Sequence, residues 1–69
     1  MIVAKESTRF VSVTLERNDC ILNGEGADEY NVLVNGKSGK LLLSHGPYYK
    51  LSSAKAQMTR VLNDLGINS

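Results

Sequence analysis

The 69-residue chain has one cysteine, one proline and no tryptophan. Cys20 cannot form an intrachain disulfide, whereas small secreted domains usually carry about two to four disulfides. The sequence therefore excludes a disulfide-stabilised scaffold and favours a reducing compartment. We expect a cytoplasmic protein.

Long apolar runs are also missing. No run of apolar residues exceeds four, whereas a helix needs about 18 to cross a bilayer. Lys5, Glu6 and Arg9 occupy the positions where a signal peptide would carry an apolar stretch of about 7 to 15 residues. We therefore expect no contact with a membrane and no secretion signal.

The net charge is small, at +1, but its distribution is uneven. Residues 1–36 contain six acids and three bases, a net charge of −3, and residues 37–69 contain five bases and one acid, a net charge of +4. Such asymmetry is typical of a nucleic-acid-binding face, or of two ends that meet in the fold or in a symmetric dimer.

The length of the chain limits its core. A domain of this size buries only about 60% of the surface that its unfolded chain exposes. We therefore expect one domain covering residues 1–69, without a deep internal cavity. Self-association would add stability at this size.

Alternating apolar and polar residues predict strands in the first half of the chain. Val11, Val13 and Leu15 alternate with polar residues and predict a half-buried strand, and residues 2–4 predict either a short strand before it or an extension of it. Residues 17–19 have turn-forming side chains, so we expect a first hairpin over residues 9–22. Residues 23–29 contain two glycines and three acids, which predicts an exposed, mobile loop.

A second hairpin is predicted between residues 30–34 and residues 40–45. Asn35-Gly36 suits a two-residue type I′ turn, and Gly39 leaves a five-residue loop as the alternative. Gly46-Pro47 is expected to end the strand, because proline has no amide hydrogen for the ladder.

From Ser53 the apolar spacing becomes that of a helix, which we expect over residues 53–65. Ser52 is the expected N-cap, with Leu51 packing on Ala56 as a hydrophobic staple. Gly66 is expected to end the helix and Ile67 to fold back on its last turn. The expected buried face of the helix comprises Ala54, Met58, Val61, Leu62 and Leu65.

Strands followed by a helix predict an α+β domain, in which a small antiparallel β-sheet of two hairpins, with three to five strands, packs against one C-terminal α-helix. The strand residues expected beneath the helix are Val11, Val13, Leu15, Val32 and Val34. Leu41, Leu42 and Leu43 are consecutive, so at least one of them must point away from this core. An outward leucine would be a candidate partner surface.

Catalytic and metal-binding patterns are weak. Cys20 and His45 are the only thiol and the only imidazole, and nothing in their spacing brings them within hydrogen-bond distance. One cysteine and one histidine are too few for structural zinc, and the acids of residues 19–29 lack the spacing of a calcium loop. We therefore predict no catalytic residues, no metal site and no cofactor.

The strongest candidate binding surface is a cationic and aromatic set in the C-terminal half. The predicted partner-binding residues are Lys37, Lys40, His45, Tyr48, Tyr49, Lys50, Lys55 and Arg60. Tyrosine and arginine are enriched in protein-binding hot spots, and cations with aromatic rings also suit nucleic-acid binding. Adjacent tyrosines on an extended segment point to opposite faces, so we expect one ring to be buried and the other exposed.

These patterns predict a non-catalytic module that binds a larger protein, as a small regulator or inhibitor of the kind that phages and other mobile elements encode. Two alternatives stay open: a DNA- or RNA-binding protein that uses the basic C-terminal half, and an oligomeric structural subunit, as in a homodimer. The isoelectric point of about 7.9 lies below the value of about 9 that is typical of nucleic-acid-binding domains, and favours the protein partner.

Overall fold

The computed structural model describes residues 1–66, which form four strands and one helix. The elements are β1 (Ile2–Ser7), β2 (Val11–Leu22), β3 (Glu25–Gly36), β4 (Leu41–Tyr48) and α1 (Leu51–Asp64). The strands form one antiparallel sheet in the order β1-β2-β3-β4, and α1 packs against one of its faces. The predicted α+β fold is confirmed.

The longest paired segment of the sheet is the hairpin of β2 and β3. Twelve residues of β2 pair with twelve of β3 without a break, from Val11 opposite Gly36 to Leu22 opposite Glu25. Asn23 and Gly24 connect the two strands with φ angles of 52° and 81°. Positive φ at both positions is what a two-residue type I′ turn requires.

The first hairpin predicted over residues 9–22 is therefore wrong, and so is the mobile loop predicted over residues 23–29. Arg17, Asn18 and Asp19 lie inside β2 rather than in a turn. Ladder hydrogen bonds join backbone groups, so polar residues continue a strand when the opposite strand is in register. The Asn-Gly pair at 23–24 provides the tighter reversal and sets that register.

The connection between β3 and β4 is longer than the two-residue turn predicted at Asn35-Gly36, which is wrong. Gly36 still belongs to β3, and residues 37–40 form the loop. The Gly36 amide donates to the Lys40 carbonyl at 2.8 Å, and the Gly39 amide donates to the Gly36 carbonyl at 3.0 Å. Gly39 has a φ of 88°, so the longer alternative that relied on this glycine is closer to the structure.

β4 extends beyond Gly46-Pro47, which was expected to end it. The pairing with β3 is irregular there: Val32 lies opposite His45, but Tyr30 lies opposite Tyr48, so β4 carries one extra residue. A proline is tolerated at such an irregularity in an edge strand, because no ladder hydrogen bond needs its missing amide hydrogen.

The hydrophobic core lies between α1 and the sheet. In the described part of the chain its buried apolar residues are Val13, Leu15, Tyr30, Val32, Val34, Ala54, Met58 and Val61. The predicted core is thus largely confirmed, with Val11 and Leu62 half-buried at its margin. Leu65 was expected on the buried face but is 45% exposed, because α1 ends at Asp64 and Leu65 follows the last helical residue.

The start of α1 differs from the prediction. Lys50 occupies the N-cap position with extended backbone angles, and no side chain caps the helix. Ser52 as the N-cap is therefore wrong, and so is the staple, because Leu51 is already the first helical residue and packs on the core.

The end of α1 follows the prediction. Gly66 adopts a positive φ of 73°, and its amide donates to the carbonyl of Asn63 at 3.1 Å. A glycine in this conformation satisfies one of the unpaired carbonyls at a helix end. The predicted contact of Ile67 lies outside the described residues.

Leu15 provides a test of the core, because its side chain is fully buried. Leu15→Ala should lower the free energy of unfolding by about 2–5 kcal/mol, a large part of the roughly 3–10 kcal/mol expected of a domain this size. Urea denaturation measures the change. The exposed Leu65→Ala is the control and should stay within about 0.5 kcal/mol of wild type; equal losses in the two variants would contradict the core.

Gly46 and Gly24 make a second comparison. A Cβ atom at Gly46, whose φ is 133°, would lie 2.6 Å from Asn31 Oδ1 and 3.0 Å from the Tyr30 carbonyl oxygen, whereas at Gly24 it would meet nothing within 4 Å. Gly24→Ala should cost about 1–2 kcal/mol for its left-handed backbone alone. Gly46→Ala should cost more, because steric overlap adds to backbone strain. Thermal denaturation in which Gly24→Ala is the less stable variant would disprove this ranking.

Candidate interaction surfaces

β2 and β3 extend beyond both of their neighbours. Pairing with β1 ends where Met1 and Arg17 exchange backbone hydrogen bonds of 2.8 Å, and pairing with β4 ends at Tyr30. Residues 18–29 therefore form a two-stranded extension that no third strand of the described chain flanks. We call this extension the acidic ribbon, because its only charged residues are Asp19, Glu25, Asp28 and Glu29.

The acidic ribbon has no hydrophobic core beneath it. No apolar side chain of residues 18–29 is buried, and Ile21 is 74% exposed. Ile21 lies opposite Gly26, which has no side chain to cover it, and Leu22 beside the turn is also exposed. Two-stranded hairpins are marginally stable on their own in water. The ribbon is thus an arm with apolar side chains that nothing in residues 1–66 covers.

A shallow depression of about 320 Å³ lies on this ribbon. Its lining residues are Asp19, Cys20, Ile21, Gly26, Ala27 and Asp28. Asp19 lies opposite Asp28, and the strand alternation places both carboxylates on the same face as Ile21. Carboxylates beside an apolar side chain suit a long cationic side chain, whose stem packs on the apolar surface while its charged group meets a carboxylate.

Arg17 neutralises one of these two carboxylates. Its Nη1 donates to Asp28 Oδ1 at 2.9 Å and lies 4.0 Å from Asp19 Oδ1. Like charges that face each other across a sheet repel, and the guanidinium offsets that repulsion at the base of the ribbon. The side chain of Asp19 is almost fully exposed, so its carboxylate is the one more available to a partner.

Cys20 points to the other face of the ribbon, opposite Ala27. Partial burial raises the pKa of its thiol, and the carboxylates of Glu29, Asp28 and Asp19 raise that pKa further. A nucleophilic cysteine needs a lowered pKa, because the thiolate is the reactive form. The surroundings of Cys20 therefore oppose nucleophilic chemistry at neutral pH.

The structure also separates Cys20 from His45. His45 lies opposite Val32, and Cys20 lies opposite Ala27, five residues or about 16 Å further along β3. The side chains lie on opposite faces of the sheet, so no thiol–imidazole pair forms. Within residues 1–66, no group of three or more histidine, cysteine or acidic side chains is placed to hold a metal ion.

The end of the sheet opposite the ribbon tip is basic. In this up-and-down sheet the β1–β2 turn and the β3–β4 loop lie at the same end, which we call the basic end and define as residues 8–10 and 37–42. It carries Arg9, Lys37 and Lys40 and contains no acid.

Apolar side chains are exposed at the basic end as well. Phe10 is 69% exposed, and Leu41 and Leu42 are each more than half exposed. The Arg9 guanidinium carbon lies 6.0 Å from the centre of the Phe10 ring, so a cation and an aromatic ring share one surface. Leu43 is exposed too, and the prediction that at least one of the three leucines points away from the core is confirmed.

The predicted partner-binding residues are spread over four regions. Lys37 and Lys40 lie in the basic end, His45 and Tyr48 lie in β4, Tyr49 and Lys50 follow β4, and Lys55 and Arg60 lie on α1. β4 lies between Lys40 and Lys50 and pairs with β3 from Asn35 to Tyr30, a length of about 17 Å. Positions five apart on a helix differ by about 140°, so Lys55 and Arg60 flank opposite sides of the buried stripe.

The expectation that the two adjacent tyrosines point to opposite faces is confirmed. Tyr48 packs against the core, whereas Tyr49 is exposed, as expected of adjacent residues on an extended segment. The sequence interpretation missed the acidic ribbon, and it left Arg9 out of the candidate surface. The signal for the ribbon was Asn23-Gly24, a dipeptide that favours type I′ turns.

Comparison with known proteins finds no matching family model, no significantly similar curated protein and no significantly similar solved structure. Among the described residues, no helix combines the length and the apolar character that crossing a bilayer requires.

The raised pKa of Cys20 predicts slow alkylation. Iodoacetamide should react with Cys20 more slowly than with an unstructured cysteine peptide near neutral pH, because less thiolate is present. Glu29→Gln should speed the reaction by removing one of the carboxylates that raise the pKa. Mass spectrometry follows the rate against pH. Glu6→Gln on β1 is the matched control and should leave it unchanged; a Glu29→Gln rate equal to wild type would refute the electrostatic cause.

Proposed function

We propose that this protein is a non-catalytic, cytoplasmic interaction module that binds a larger protein through the acidic ribbon and acts as a small regulator or inhibitor. The observation that carries the proposal is the extension of β2 and β3 past both neighbouring strands, with Ile21 and Leu22 exposed and no core beneath them. Exposed apolar side chains on an arm with two unpaired edges favour contact with another molecule.

The chemistry of the ribbon indicates the partner surface that it fits. The ribbon has four acids and no base, so the partner surface should be positively charged. The exposed Ile21 should contact an apolar part of the partner beside that charge. A lysine or arginine of the partner would place its aliphatic stem on Ile21 and its charged group at Asp19. A basic groove with apolar walls, such as one that normally holds a polyanion, combines both features.

The geometry disfavours the nucleic-acid alternative. The cations proposed to contact phosphate lie at opposite ends of β4 and on two sides of α1, whereas nucleic-acid binding favours a continuous basic surface. The acids of the ribbon would repel a phosphate backbone over one end of the molecule. Lys37 and Lys40 lie together at the basic end, so they support a binding role for that end rather than for the whole basic C-terminal half.

Affinity capture from extracts of the source organism tests the proposal. The wild-type protein should retain a partner that Asp19→Asn and Ile21→Ser each retain at least about tenfold less, since a central contact of an interface is worth about 1–2 kcal/mol or more. Retention should also fall as salt rises, because exposed charges are screened.

Two variants serve as matched controls. Asp64→Asn removes one acid outside the ribbon, and Leu65→Ser removes one exposed apolar side chain outside it; both should retain the partner like wild type. Circular dichroism should show all four variants folded, because none of these positions is buried. A partner retained equally by every variant, or the absence of any ribbon-dependent partner, would overturn the proposal.

A further inference from the structure

We propose that the acidic ribbon of one copy of this protein binds the basic end of a second copy, so that molecules associate head to tail. The ribbon is shared with the proposed function, but this inference requires no larger partner. It is carried by the complementarity of two surfaces of one chain.

The two surfaces complement each other in charge. The ribbon holds four acids and no base over residues 18–29, and the basic end holds three bases and no acid over residues 8–10 and 37–42. The neighbouring Lys5 and Glu6 on β1 offset each other. Arg17 already engages Asp28 at 2.9 Å. Of the other acids, Asp19 lies on the same face of the ribbon as Asp28, and Glu25 and Glu29 lie on the opposite face, so both faces of the ribbon are acidic.

The two surfaces also complement each other in apolar exposure. Ile21 and Leu22 are exposed near the tip of the ribbon, and Phe10, Leu41 and Leu42 are exposed at the basic end. Ile21 and Leu22 point to opposite faces of the ribbon, and each is bordered by acids on its own face. Docking either face on the basic end would bury apolar surface while it pairs opposite charges. Such an arrangement determines how the two molecules are oriented and also strengthens their attraction.

The two surfaces cannot meet within one chain. The ribbon tip and the basic end lie at opposite ends of the β2–β3 hairpin, and the longest dimension of the molecule is 41 Å. A contact between them is therefore intermolecular, and it joins different surfaces of the two copies. Contacts of this type build rings or open chains when each copy binds two neighbours, and a two-fold dimer when two copies bind each other reciprocally.

Backbone groups favour the same contact. β4 is an edge strand that starts at Leu41 in the basic end, and the ribbon has unpaired edges on both sides. An edge of the ribbon laid beside β4 of a second copy would add main-chain hydrogen bonds to the side-chain contacts. In the free molecule those groups face solvent.

Sedimentation velocity over a range of protein concentrations tests the inference. At low ionic strength the wild-type protein should form species larger than monomers as its concentration rises, and high salt should dissociate them. The ribbon variant (Asp19→Lys, Glu25→Lys) and the end variant (Lys37→Glu, Lys40→Glu) should each remain monomeric. Phe10→Ser, which changes no charge, should weaken association at least threefold.

Mixing the two charge-reversed variants gives the sharpest result. The reversed ribbon of one matches the reversed end of the other, so an equimolar mixture should associate although each variant alone does not. Lys55→Glu on α1 is the control and should associate like the wild-type protein, because it reverses a charge outside both surfaces.

Several results would overturn the inference. They are a wild-type protein that stays monomeric at low salt, a dimer that persists in both charge-reversed variants, and binding of a single-stranded oligonucleotide that the end variant loses while wild type stays monomeric. Monomeric protein with intact ribbon-dependent capture would reject this inference and leave the proposed function standing. Self-association of the wild-type protein without ribbon-dependent capture of a larger partner would support this inference and reject the proposed function.

Discussion

The uninterrupted pairing of β2 with β3 is the interaction on which the rest of the structure depends. One two-residue turn sets the register of the whole hairpin, and a slip of one residue would move Val13 and Leu15 from the helix-covered face to the open face. With that register, Val13 meets Val34 and Leu15 meets Val32, and α1 covers both pairs. The core is thus assembled on one half of a single hairpin.

The other half of the hairpin accounts for the surface properties. Because β1 and β4 flank only the half that carries the core, the remaining half projects as an arm. The same alternation that places valine and leucine under the helix places Asp19, Ile21 and Asp28 on the corresponding face of the arm. Fold and candidate interface are therefore consecutive parts of one pair of strands, and the uneven charge of the sequence becomes a separation of charge along the molecule.

The sequence was informative where side-chain patterns coincide with burial. The alternation at residues 11–15 and the helical spacing after Ser53 predicted the core, because those side chains are buried by that face. It was misleading at residues 17–19, where polar side chains are typical of turns but the backbone continues a ladder. Their partner strand lies about ten residues further along the chain, and local propensity does not contain that information.

The candidate surface was harder to predict for a related reason. Lys37, Lys40, Lys50 and Arg60 are close in the sequence, but β4 and α1 carry them to different parts of the molecule, whereas Arg9 reaches the two lysines of the basic end only through the pairing of β2 with β3. The composition shows an imbalance of charge between the two halves of the chain. The strand order is needed to show that this imbalance forms two distinct surfaces.

The absence of a core beneath the ribbon has an evolutionary consequence. Because none of its apolar side chains contributes to the buried cluster, substitutions there are largely free of the stability cost that constrains residues such as Leu15. Only Asn23 and Gly24, which set the reversal, remain under that constraint. Selection can therefore change the chemistry of the arm, and with it the choice of partner, while the scaffold that presents it stays the same.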